Sequence, residues 1–128
     1  MTNSSLPYTR LDVCNRFLES VRHSVVLGLE VLSAEEHAVR VRVPWREDLV
    51  GNPETGVMHG GAIFAMMDHA GGMAVTCRTF PTFEITPTID FRVDHLRGPA
   101  KGAAVVCEAT CYRLTNHVDF VRITTWEE

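Results

Sequence analysis

The stretch from Val57 to Val75 constrains this chain more than any other. Gly60-Gly61 opens a run of Ala, Ile, Phe, Met and Val that continues to Arg78. A helix built from such residues is apolar on nearly every face, so its place is inside a fold. Asp68 stands at its midpoint. Burying an unpaired carboxylate costs several kcal/mol, roughly, unless its pKa shifts or a partner compensates it. A chain that accepts that cost has a use for the charge, and Asp68 is read as chemistry.

The rest of the chain supplies the material to enclose that helix. At 128 residues it makes one domain, with residues 1–9 expected to be flexible. A net charge of −4 argues against a nucleic-acid partner, which calls for a basic stripe. No apolar run approaches the ~20 residues of a membrane span. Met1 to Tyr8 lacks the basic and apolar blocks of a secretory leader. Cys14, Cys77, Cys107 and Cys111 form no C-x-x-C pair, so reduced, buried thiols in a cytoplasmic protein are expected.

Asp12 is placed as the cap of an amphipathic helix over 11–23, with Val13, Phe17, Leu18 and Val21 on its apolar side. Val25 to Ser33 reads as a strand interrupted at Gly28. Val39, Val41 and Val43 then alternate with Arg40 and Arg42, which predicts a strand with a solvated arginine face. Trp45 to Met58 is a long polar loop; loops of that length inside a compact domain are usually functional or disordered, and its lead straight into His59-Gly60-Gly61 favours function. Beyond the central helix, Thr88 to Leu96 alternates as a strand. Ala103 to Leu114 and Val118 to Trp126 follow as an antiparallel pair. Strands that do not alternate with helices exclude a doubly wound sheet. They favour an α+β fold in which a curved antiparallel sheet wraps the central helix.

The site chemistry follows from the same residues. A carboxylate in apolar surroundings is a stronger base than in water. Gly60, at a helix N-terminus, offers an unpaired N–H backed by the helix dipole. His59 is expected to fix the loop by bonding backbone, and Asn52 before Pro53 also fits simple turn chemistry. The alternative reading is a carboxylate satisfied by His69 or an arginine. A metal held by Asp68 and His69 is disfavoured, because adjacent helical residues point about 100° apart and no third ligand has suitable spacing. Met58, Met66, Met67 and Met73 read as core filling. The mid-helix Gly71-Gly72 costs roughly 1 kcal/mol per residue against Ala, and the return is room.

The His-Gly-Gly opening with Asp nine residues after the His resembles the hotdog-fold acyl-CoA thioesterases, nearest the phenylacetate-degradation (PaaI-like) branch. The likeness takes in Asn52-Pro53, Gly56, Thr88-Ile89-Asp90-Phe91 and Leu96-Arg97-Gly98-Pro99-Ala100, about residues 37–115. Asn52 stands seven residues before His59 where the family has six, and Gly98 is an insertion in the second block. The resemblance implies hydrolysis of acyl-CoA to a carboxylic acid and free coenzyme A, with no separate cofactor and no metal. It also implies a homodimer, often paired into a homotetramer, with each site shared across an interface. By resemblance Asp68 is the general base or nucleophile and the Gly60 N–H polarises the thioester carbonyl. His59 shapes that loop, Asn52 holds water or carbonyl, and Thr88 steadies the water. Gly61, Phe64 and Met67 would line the acyl group, and Arg97 and Lys101 would meet coenzyme A. Phe80, Phe83 and Phe91 are further pocket candidates.

Two rivals have distinct signatures. A hotdog hydratase or dehydratase carries His-Phe-Pro-Gly or Asp-x-Asn-Pro-x-His stretches, absent here. A non-catalytic acyl-CoA-binding protein, or a dimerisation module, would not need Asp68.

Overall fold

A computed structural model describes residues 6–128. Helix α1 (Arg10–Ser20) starts on a reciprocal cap: Thr9 Oγ1 accepts from the Asp12 N–H, while the Asp12 carboxylate accepts from the Thr9 N–H at 2.7 Å. Thr9 rather than Asp12 is therefore the capping residue. Tyr8 packs edge-on against Phe80 with ring centroids 5.8 Å apart, so the end of the segment expected to be flexible is anchored; residues 1–5 lie outside the described residues.

The strand expected from Val25 does not begin there. Arg22–Leu27 forms a second short helix, α2, ended by Gly28 in the left-handed conformation at φ 72°. Fully buried Ser24 donates to the carbonyls of Leu18 and Val21, tying α2 to the end of α1. β-branched Val25 and Val26 favour a strand locally, yet the glycine stop and this buried serine hold them in helix.

Strands β1 (Glu30–Ala34), β2 (Val39–Val43), β5 (Val105–Arg113) and β6 (Phe120–Glu127) form one antiparallel sheet in the order β1-β2-β5-β6. The register places Val41 opposite Cys107 and Cys107 opposite Thr125. Val39, Val41 and Val43 are wholly buried on the inner face. Outside, Arg40 pairs with Glu108 at 2.7 Å and Arg42 bridges Glu30 and Glu128. The solvated arginine face is thus a set of cross-strand ion pairs.

Helix α3 (Gly60–Thr79) packs on β2, β5 and β6. Met66, Ala70, Met73, Ala74 and Cys77 enter the core, at helical spacing. The helix is not covered all round: Gly61, Phe64 and Asp68 are exposed on one face. Before it, β3 (Val50–Asn52) and β4 (Val57–Met58) make a small hairpin that delivers the chain to His59.

Residues 83–100 carry the main departure from expectation. Thr88 to Leu96 joins no ladder among the described residues, and Ile85, Ile89 and Leu96 are 76, 79 and 95% exposed. Alternation encodes two unlike faces, but a strand also needs ladder pairing with a neighbour, and this segment pairs with neither edge strand, β1 or β6, among the described residues.

Candidate active site

The exposed face of α3 carries the candidate carboxylate. Asp68 is exposed, not buried; its apolar sequence neighbours turn inward and leave it on the open side of the helix. Thr88, from the segment after α3, donates from Oγ1 to Asp68 Oδ1 at 2.5 Å. That is the length of a charge-assisted O–H···O⁻ bond. It leaves Oδ2 without a protein donor among the described residues. Neither His69 nor an arginine takes the role of partner. His69 instead sits edge-on to Phe17, and burial holds its pKa below the usual histidine value although the Asp68 charge pulls the other way.

Asp68 and Thr88 open on a cavity of about 400 Å³ whose walls include Met67, Gly71, Gly72, Phe91 and Tyr112. A methyl group at Gly72 would meet nothing within 4 Å, and one at Gly71 only Ile123 at 3.9 Å. The room anticipated at the glycine pair is therefore present on the cavity side. Met67 is at once core and wall, its sulfur accepting from the Thr125 hydroxyl at 3.0 Å.

His59 is the N-cap of α3, its Nδ1 accepting from the Gly61 N–H at 2.8 Å. This is the loop-fixing role, with the ring nitrogen in the place usually taken by a serine or aspartate oxygen. The Gly60 N–H finds no acceptor among the described residues, and a Cβ at Gly60 would meet nothing within 4 Å. A donor with helix-dipole support and open space before it is suited to a developing oxyanion. Gly61 and His59 border a second cavity of about 430 Å³, with His23, Leu27 and Leu49. Eight residues of helix separate Gly60 from Asp68, a rise of roughly 12 Å.

Other expected site residues lie elsewhere. Asn52 Oδ1 accepts from the Glu54 N–H at 3.0 Å, closing the turn that leads to Gly56. Its side chain is engaged in turn chemistry. Phe64 packs against Phe91 and His95 rather than lining the Asp68 cavity. Arg97 is ion-paired with Glu127 at 2.9 Å, and the stem of Lys101 lies over Gly56, where a Cβ would come within 2.7 Å of it. Phe80 packs with Tyr8 and Phe83 with Phe17, so of those phenylalanines Phe91 alone reaches the cavity. Tyr112 near the end of β5, His117 in the connection and Phe120 at the start of β6 line it as well. Nothing local in the sequence marks them, because their approach to Asp68 depends on how the sheet curves.

An antiparallel sheet packed on one long helix, with a Thr-supported carboxylate on the helix face and a glycine N–H at its start, defines the hotdog class of thioester-processing domains. The chain belongs to the thioesterase superfamily, whose profile matches residues 55–128. A protein of Pseudomonas aeruginosa of known structure superposes with a TM-score of 0.84 and 40% identity, over 94% of this chain and 88% of that one. VNG_1336C of Halobacterium salinarum is 34% identical over 100 residues, 77% of this chain but only 65% of that relative's length. The medium/long-chain acyl-CoA thioesterase YigI of Escherichia coli is 27% identical over 114 residues, 80% of this chain and 73% of YigI. PaaI of E. coli, at 18% identity and a TM-score of 0.76 over 89% of this chain and 78% of PaaI, shares the fold. No described helix is long and apolar enough to cross a membrane.

Proposed function

We propose that the chain is an acyl-CoA thioesterase in which Asp68 activates the attacking water. The observation that carries this reading is the Thr88–Asp68 hydrogen bond on the open face of α3. Thr88 occupies one oxygen of the carboxylate, leaving the other without a protein donor among the described residues, at the cavity that Asp68 lines. A water held there gives its proton to Asp68 as its oxygen adds to the thioester carbonyl. The Gly60 N–H receives the charge that develops on the carbonyl oxygen. Collapse of the tetrahedral intermediate expels the coenzyme A thiolate, which recovers the proton from Asp68. Water is the only co-reactant, and coenzyme A enters as part of the substrate.

The roughly 12 Å between Gly60 and Asp68 on one helix is too long for both to touch one thioester. This supports a site made by two copies, Asp68 of one facing Gly60 of the other. Exposed Ile85, Ile89 and Leu96 beside the open face of α3 supply apolar surface for that association. YigI's medium and long acyl chains, and the space over Gly71-Gly72, favour an aliphatic acyl group.

Free-thiol release from acyl-CoAs of short, long and aryl type, with size measurement of the same sample, tests the reading. Turnover by a dimer or larger assembly supports it. Tight acyl-CoA binding with no turnover on any member would replace it by a binding protein.

A further inference from the structure

Two nucleophiles that the proposed hydrolysis does not use lie side by side in the core. Cys14 on α1 and Cys77 in the last turns of α3 have their sulfurs 3.6 Å apart, and the residues are 0 and 1% exposed. They are 63 residues apart in sequence, so no spacing motif shows the pair. A disulfide requires about 2.05 Å between sulfurs. The remaining gap of roughly 1.5 Å has to close by side-chain rotation and a small helix shift.

The two thiols are not equivalent. The hydrogen bond between the two sulfurs holds the Cys77 thiol below its ordinary pKa against burial and the Glu35 charge, and the Arg10 charge adds to the lowering. Arg10 is fixed there by a bond from its Nε to the Cys77 carbonyl at 2.9 Å. The contact with Cys77 and burial push the Cys14 thiol up. The Arg10 charge beside Cys77 favours a thiolate there over one on Cys14. The other two cysteines contrast on both counts. Burial raises Cys107 to about 12 and raises Cys111 as well. They sit four residues apart along β5, roughly 13 Å, and cannot join.

We propose that Cys14 and Cys77 are a redox-active dithiol, converted by hydrogen peroxide into an internal disulfide that staples α1 to the central helix. The Cys77 thiolate attacks one peroxide oxygen, becoming a sulfenic acid and releasing hydroxide, which takes up the proton Cys77 had lost. The Cys14 sulfur then attacks the Cys77 sulfur. Its proton leaves with the expelled hydroxide as a second water. Two thiols lose two electrons and one peroxide becomes two waters. Peroxide is close to water in size and enters when α1 opens locally. The bridge constrains the unfolded chain and stabilises the fold, while Asp68, nine residues earlier on α3, keeps its open face.

Stepwise peroxide titration of the whole protein, followed by alkylation under denaturing conditions and peptide mapping, tests this. The expected product is a Cys14–Cys77 cross-linked peptide in a protein lighter by two hydrogens, with Cys107 and Cys111 alkylated. Its Tm should rise by several degrees, reversed by dithiothreitol. Cys14→Ser or Cys77→Ser should abolish cross-link and Tm shift, and Cys111→Ser should keep both. Recovery of Cys14 and Cys77 as free thiols or as separate sulfinic acids, with the peroxide consumed, would overturn the proposal. Mapping of the unaltered chain decides the matter even if a variant folds poorly, and it is independent of whether the protein hydrolyses thioesters.

Discussion

Thr88 Oγ1 stands 2.5 Å from Asp68 Oδ1, joining the segment after the central helix to the carboxylate at that helix's midpoint. The hydroxyl is the one protein donor to this carboxylate among the described residues, so it sets which oxygen is free for water. Thr88→Val removes the donor and keeps the shape. It should lower kcat by roughly 10- to 100-fold with KM little changed, while Thr88→Ser stays within a few-fold of wild type. Equal kcat for all three would remove Thr88 from the site.

Gly60 allows an unusually clean deletion of a backbone donor. It is the first residue of α3, where proline is well tolerated, and His59 before it is extended at φ −62°, ψ 135° as a pre-proline residue should be. Gly60→Pro should fold and assemble normally yet lose about 10²- to 10³-fold in kcat. Mixed with Asp68→Ala protomers, it should regain roughly a quarter of wild-type activity if sites are shared between copies. No recovery after confirmed subunit exchange would place both groups' action within one chain.

His59 acts through the Gly61 N–H, and its effect should be one of stability. His59→Ala should cost about 1 kcal/mol in chemical denaturation, and His59→Asn should recover most of it by capping the same N–H. A large loss of turnover in a fully stable His59→Asn would instead make the imidazole a proton carrier.

These predictions rest unequally on what the sequence displays. The central helix, β2, the β5–β6 pair and the His59 cap are legible because each is specified locally, by apolar spacing, strict alternation or a helix-start signal. Asp68 reads as buried yet is exposed, because neighbours in sequence are not neighbours on a helix face: Ala62, Met66 and Ala70 turn inward while Phe64 and Asp68 turn out. Val25–Leu27 reads as strand by residue type, but Gly28 and Ser24 impose a helix from outside that window. Thr88–Leu96 has strand alternation without a ladder, since pairing is a property of two segments. Tyr112, Phe120 and the Cys14–Cys77 contact are tertiary and leave no local trace.

Acid should weaken the fold partly through His69. Burial lowers its folded pKa, so the folded state favours the neutral ring. This contribution to stability is present above the unfolded histidine value near ~6.5 and is lost as pH falls through it toward the lower folded value. Urea denaturation between pH 7.5 and 5 should show a shallower decline for His69→Gln than for wild type. A decline of identical slope would assign the acid sensitivity elsewhere.

The central claim is that the Asp68 carboxylate activates the water. Asp68→Asn keeps the size of the side chain at an exposed position, so secondary structure, Tm and assembly should match wild type within a degree or two, roughly. Steady-state release of free coenzyme A from the best substrate in the panel should fall by at least about 10³-fold, with acyl-CoA binding retained. Turnover within about tenfold of wild type would contradict the mechanism.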